Sequence, residues 1–101
     1  MGEGTAIKVY DSGVIVPRRL VDHLVEVAAA RDIPFQMEIM SRGGTDTREL
    51  QLSGDGALAG CVSIPTRYVH QVVETCHPAD LDASVDLVVA FCETAESLLA
   101  P

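Results

Sequence analysis

Two short segments hold the residues whose types and spacing bear on chemistry. The first, Arg42-Gly43-Gly44-Thr45-Asp46, joins strand-like to helix-like sequence through two glycines, where free backbone N–H groups would make an anion nest. It lacks the lysine of a Walker phosphate loop and the spaced glycines of a dinucleotide site, and Asp46 would oppose a phosphate. A double glycine serves equally as a tight turn. The second, Ile64-Pro65-Thr66-Arg67-Tyr68-Val69-His70, leaves an apolar run and is followed by Glu74, Cys76 and His77. Histidine is the common metal ligand and general base at neutral pH, and it is also an ordinary hydrogen-bonded loop residue. The residues alone leave both roles open. A local metal site from His70, Glu74 and His77 would need a continuous helix, which Val72-Val73 and Pro78 disfavour. No Gly-x-Ser-x-Gly elbow is present, and His23 and His77 read as solvated or structural.

These segments need rigid elements to hold them. Ala6 to Tyr10 reads as a strand closed by Asp11-Ser12-Gly13. Pro17 suits a helix start, and Leu20, Leu24, Val27 and Ala28 repeat at helical spacing until Pro34 forces a stop near Asp32. Phe35 to Met40 predicts a second strand with Phe35, Met37 and Ile39 on one face and Gln36, Glu38 and Met40 on the other. Asp46 and Glu49 have capping-box spacing, predicting a short helix over Thr47 to Leu52. Leu58 to Ile64 predicts a strand covered on both faces. In the last helix Leu81, Val85, Val88, Cys92, Ala95 and Leu99 follow one stripe, with Asp80 and Asp82 near its positive end. The order predicts an α/β fold: a small, mostly parallel sheet with helices on its faces and a central strand that includes Val62 and Ile64. Loops at strand carboxyl ends then gather residues 11–13, 42–46 and 65–77.

Composition narrows the function classes. The 101 residues carry 15 Asp and Glu against 7 Lys and Arg, a formal charge of -8, which excludes an electrostatic grip on nucleic acid or anionic membrane. Apolar residues make up 48% with no Trp, so the expectation is one globular domain over residues 1–101, with an aliphatic core. Cys61, Cys76 and Cys92 form neither a CxxC pair nor an even set, and the N-terminus has no targeting pattern. The expectation is a cytoplasmic protein with reduced thiols.

Taken in order, Gly2-Glu3-Gly4-Thr5-Ala6-Ile7-Lys8, Tyr10-Asp11-Ser12, Ile33-Pro34-Phe35-Gln36, Gly43-Gly44-Thr45-Asp46 and Ser63-Ile64-Pro65-Thr66-Arg67-Tyr68-Val69-His70 form a pattern. It resembles the closing part of the catalytic domain of the TET-family metallo-aminopeptidases, glutamyl or leucyl enzymes some of which carry the name endoglucanase. The resemblance implies a zinc-peptidase α/β/α domain in which two divalent metal ions, zinc or cobalt, hold a bridging water and a glutamate acts as base on N-terminal peptide bonds. It makes His70 a metal ligand. It also implies that Gly43, Gly44 and Thr45 line the substrate pocket near the same strand ends.

Departures from the family pattern limit what this chain is expected to do. Gln71-Val72 stand where family members have Ser-Pro, and Ala57-Leu58-Ala59 replaces Val-Pro-Thr. The family places its other ligands and its glutamate base ahead of the region matched here, so this chain holds no catalytic residue. One histidine cannot hold a metal pair. The expectation is therefore a C-terminal fragment inactive alone and without stably bound metal, half of a split enzyme that a complementing N-terminal half completes, or a noncatalytic α/β interaction module. Flanking strands would be absent, predicting an exposed apolar edge or face and self-association as a homo-oligomer.

Overall fold

The computed structural model describes residues 1–13, 15–40 and 44–98. Thr5–Tyr10 form β1, followed by α1 (Arg18–Ala30), β2 (Phe35–Ile39), α2 (Thr47–Gln51) and β3 (Val62–Ser63). Two-residue strands β4 (Thr66–Arg67) and β5 (Thr75–Cys76) precede α3 (Pro78–Thr94), which runs into a 3-10 turn, Ala95–Leu98. β1 has a strand on each side. It pairs in parallel with β2, from Thr5 opposite Phe35 to Lys8 opposite Glu38, and antiparallel with β3, Ile7 opposite Val62 and Ala6 opposite Ser63. β4 and β5 form a separate antiparallel hairpin.

The α/β class agrees with the sequence reading, but the sheet is mixed, with one pair of each sense. The order β2-β1-β3 also corrects the expected central strand: β1 is central and Val62 lies at an edge. The reason lies in the residues flanking β3. A Cβ on Gly60 would come within 2.7 Å of the Leu20 side chain, so this backbone presses on α1 before it joins the sheet. Pro65, without an N–H, then ends the ladder. Leu58 and Ile64 stay well exposed rather than covered on both faces.

Pro17 stands just before α1, and its carbonyl accepts the N–H groups of Leu20 and Val21. The helix ends in a Schellman arrangement: Asp32 is left-handed at φ 55°, its N–H meets the Ala29 carbonyl, and the Ile33 N–H meets that of Ala28 at 2.9 Å. Ile33 thereby enters the core beside Ala28 and Val27. α2 forms as predicted, yet the Asp46 side chain makes no capping bond; the Thr45 hydroxyl accepts the Thr47 N–H instead, at 3.4 Å.

Both long helices cover the same face of the sheet. Ile7 shares one core with Leu20, Leu24, Val27 and Ala28 of α1 and Ala83, Leu87 and Ala90 of α3, and Ser84 donates to the Thr5 hydroxyl at 2.8 Å. The stripe Leu81, Val85 and Val88 is not the buried side of α3: these residues are 43%, 54% and 49% exposed, and Cys92 is exposed too. Small Ala83, Ser84 and Ala90 around Leu87 let the helix approach β1 closely, leaving the bulkier residues outside. Leu99 lies outside the described residues. On β2 the half-covered side is the polar one, because Gln36 donates to the Gly4 carbonyl and Glu38 accepts from Ser63, while Met37 and Ile39 are exposed.

Asp80, fully buried in the first turn of α3, ties the chain's first residues down. Its carboxylate accepts the backbone N–H groups of Gly2 at 2.7 Å and Gly4 at 2.9 Å. Those bonds, Gly2 first and Gly4 after burial's opposing effect, hold its carboxyl below the usual value, with His77 and the N-terminal charge adding to them. Among the described residues no helix is long and apolar enough to cross a membrane.

Candidate functional site

At the carboxyl end of β1 a buried ion pair meets one of the two candidate segments. The Lys8 ammonium lies 3.0 Å from Asp11 and 3.4 Å from Glu38, with Lys8 and Asp11 essentially without exposure. Burial alone would push the ammonium's pKa down; the hydrogen bond to Asp11 and the neighbouring Cys61, Glu38 and Asp11 outweigh it and hold it above 10.5. Asp11 is held below 3.8, first by the Lys8 hydrogen bond and then by that of the Gly13 N–H, against the effect of burial. The Thr45 hydroxyl reaches Asp11 at 3.3 Å and lies 2.9 Å from the Thr47 hydroxyl, so the loop after β2 is fastened to the end of β1. Gly44 is exposed beside Ser12; Gly43 and Arg42 lie outside the described residues.

The second segment forms the β4–β5 hairpin. Thr66 pairs with Cys76 and Arg67 with Thr75, so residues 68–74 make an exposed loop. Tyr68 and His70 are left-handed, at φ 63° and 62°, a conformation that costs a non-glycine residue of order 1–3 kcal/mol. The Gln71 N–H closes on the Tyr68 carbonyl at 3.1 Å, and the His70 N–H donates to Glu74 Oε1 at 2.6 Å. Among the described residues neither ring nitrogen of His70 has a hydrogen-bond partner. The other two histidines are structural. His77 Nδ1 accepts the Ala79 N–H and caps α3, while His23 Nε2 lies 2.9 Å from the Thr94 hydroxyl and its ring meets Phe91 edge-on.

The strand senses separate the two segments. β3 runs antiparallel to β1, so the chain leaving Ser63 emerges beside Thr5, and the hairpin's other root, His77, lies next to Gly2. Asp11 and Thr45 sit at the opposite end of β1, about 20 Å away along a six-residue strand. Because β3 runs antiparallel, the root of the β4–β5 hairpin and the loop holding Gly44 and Thr45 start from opposite ends of β1. An apolar groove of about 520 Å³, lined by Leu20, Leu24, Leu58, Val62, Val88 and Phe91 among others, holds neither segment.

His70 is an exposed imidazole donor, but among the described residues no group of three or more His, Cys, Asp or Glu is arranged to hold a metal ion. This donor set does not fit a two-metal centre. The sequence reading passed over Lys8 and Glu38. The one signal for them was a lone lysine inside the otherwise apolar Ala6-Ile7-Lys8-Val9.

A profile of the M42 glutamyl aminopeptidase family matches residues 1–87. The chain is 42% identical over 92 residues to a protein of Acetivibrio thermocellus that carries an aminopeptidase name, covering 90% of this chain and 28% of the relative. A TET aminopeptidase structure from a marine-sediment Thaumarchaeota archaeon superimposes with a TM-score of 0.87 at 31% identity, covering 90% of this chain and 26% of that one. The Pyrococcus horikoshii TET1 peptidase, which assembles into a tetrahedron or a large octahedral shell, gives 0.81 at 32% identity over 90% of this chain and 26% of its own. This chain spans about a quarter of the length of these relatives. With nearly nine-tenths of its residues inside the family profile and the fold reproduced, the chain belongs to the M42 glutamyl aminopeptidase family.

Proposed function

We propose that residues 1–101 form one unit, the C-terminal portion of a metallo-aminopeptidase catalytic domain, and that His70 is its contribution to a centre of two divalent metal ions, zinc or cobalt. The observation that carries this reading is the His70 imidazole, exposed and without a hydrogen-bond partner among the described residues, on a hairpin whose left-handed backbone is fixed by hydrogen bonds. Conformational cost held at an exposed histidine fits a functional loop better than a connecting one. The complete enzyme takes peptides as substrate and removes their N-terminal residues in the cytoplasm. The remaining ligands and the base come from a complementing N-terminal half. Gly43, Gly44 and Thr45 line the substrate pocket, a reading supported by the hydrogen bond from the Thr45 hydroxyl to Asp11 at the end of β1.

The exposed α3 stripe of Leu81, Val85 and Val88 supports a covering partner, either that half or a second copy of the chain. The test is complementation. Mixed with the residues that precede the matched region in its relatives, and with zinc or cobalt, this chain is expected to hydrolyse aminoacyl p-nitroanilides, while neither part does so alone. His70→Ala should abolish that turnover, and full turnover by the variant would overturn the assignment. A second reading, a noncatalytic interaction module, is favoured by the single donor among the described residues. It predicts no turnover from any such mixture.

A further inference from the structure

We infer that a second copy of this chain docks on the open edge of β3, the two copies pairing antiparallel about Val62 into one continuous sheet; the inference stands apart from the metal-ligand reading. The strand order β2-β1-β3 leaves β3 with a neighbour on one side only among the described residues. In an antiparallel ladder, hydrogen-bonded and non-bonded residue pairs alternate. The Lys8 N–H meets the Cys61 carbonyl at 3.0 Å, so Lys8 with Cys61 and Ala6 with Ser63 are the bonded pairs. Val62, opposite Ile7 between them, turns its own N–H and C=O away from β1. Such an edge is a template for another strand.

The charge pattern selects a second copy as that strand. Edges that stay single are usually guarded by charged side chains. From Gly56 to Thr66 this chain has none, although its formal charge is -8. The strip is therefore a place where two acidic copies meet without like charges facing. Asp55 and Arg67, both exposed, stand at its two ends. An antiparallel meeting brings the acidic end of one copy toward the basic end of the other, whereas a parallel one sets like against like. Centred on Val62, the pairing places Val62 opposite Val62 and Gly60 opposite Ile64. The apolar groove of about 520 Å³ beside the strand, lined by Leu58, Val62 and Val88 among others, then closes against its copy. This contact is self-complementary and ends at a twofold dimer.

Light scattering on the 101-residue chain at about 0.5 mM, a concentration suited to an interface of small size, should give twice the 10.8 kDa of one copy. Val62→Pro removes an outward N–H without touching the bonds to β1, and Ile64→Asp puts a negative charge on the edge. Each should weaken dimerisation about tenfold or more, with thermal melts confirming that the variants fold. Cross-linking reads the register. With Cys76→Ser and Cys92→Ser as background, Ser63→Cys comes opposite Cys61 of the second copy in a non-bonded pair, whose Cα atoms lie about 4.5 Å apart, within disulfide reach. Oxidised glutathione should then give a covalent dimer, and should give none with Cys61 alone. A strictly monomeric wild-type chain would overturn the proposal. So would a dimer in which Ser63→Cys fails to cross-link, or one that Val85→Asp disperses while Val62→Pro and Ile64→Asp leave it intact, which puts the contact on α3.

Discussion

The Asp80 carboxylate accepts the backbone N–H of Gly4 at 2.9 Å, joining groups 76 residues apart in the chain. It does so from the first turn of α3, where the helix already favours a negative charge. One carboxylate thus fixes both the start of the last helix and the entry into the central strand.

That bond sets the acid limit of stability. Asp80 and Asp11 are held below 3.8 in the folded chain, so the unfolded chain binds their protons more tightly. Their contribution is complete above the unfolded value and is lost as pH falls through the lower folded values. Lys8 has the opposite sign: raised above 10.5, it stabilises fully below that value and ceases to as pH rises through its folded pKa. Thermal melts across pH should show a plateau between these limits. Asp80→Asn should lower the plateau and shallow its acid edge, and an unchanged acid edge would count against the clamp.

Gly4→Ala should be among the most damaging single changes. At φ 108° its Cβ would lie 2.3 Å from the Pro34 carbonyl carbon and oxygen, which belong to the backbone that bonds Thr5. A loss of about 3 kcal/mol or more is expected in urea unfolding. Gly54→Ala, also left-handed but with nothing within 4 Å, should cost only about 1 kcal/mol.

The two sides of α3 should respond differently. Leu87→Ala removes a fully buried side chain and should cost about 2–5 kcal/mol. Val85→Asp, on the exposed stripe, should alter stability by no more than about 0.5 kcal/mol while reducing self-association in light scattering. A strictly monomeric wild-type chain at high concentration would remove the basis for that second expectation.

His70→Gly should stabilise the isolated chain by roughly 0.5–1 kcal/mol, since glycine accepts φ 62° without cost. The same change should abolish turnover in the complemented enzyme. Equal stability for His70→Gly and His70→Ala would show that the hairpin relaxes away from the left-handed geometry.

Lys8→Met leaves Asp11 and Glu38 without their common cation in a buried place. The melting temperature should fall by more than about 10 °C.

Local pattern located α1 well because its apolar residues occupy one side only. α3 is apolar nearly all round, so period alone could not choose between Leu81, Val85, Val88 and Ala83, Leu87, Ala90. The side that faces β1 is the one with small residues around Leu87, which also brings Ser84 to Thr5. Strand sense is likewise silent in a short apolar run. Val62 and Ser63 read the same in either direction, and the antiparallel answer put the root of the His70 hairpin at the Thr5 end of β1 instead of the Asp11 end. The partners of Lys8 are not legible because Glu38 is 30 positions away in the chain and Asp11 reads as a turn. His70 was legible from its motif, while its bond to Glu74 depends on a loop conformation that no residue type announces.

The central position of β1 also makes the closing of this core a long-range event. The strand that completes its ladder comes at Val62, and the hydroxyl that covers Thr5 comes from Ser84, 79 positions along the chain. Loops of that length must close before Ile7 is fully buried, so refolding is expected to be limited by the docking of α3 rather than by the local formation of α1.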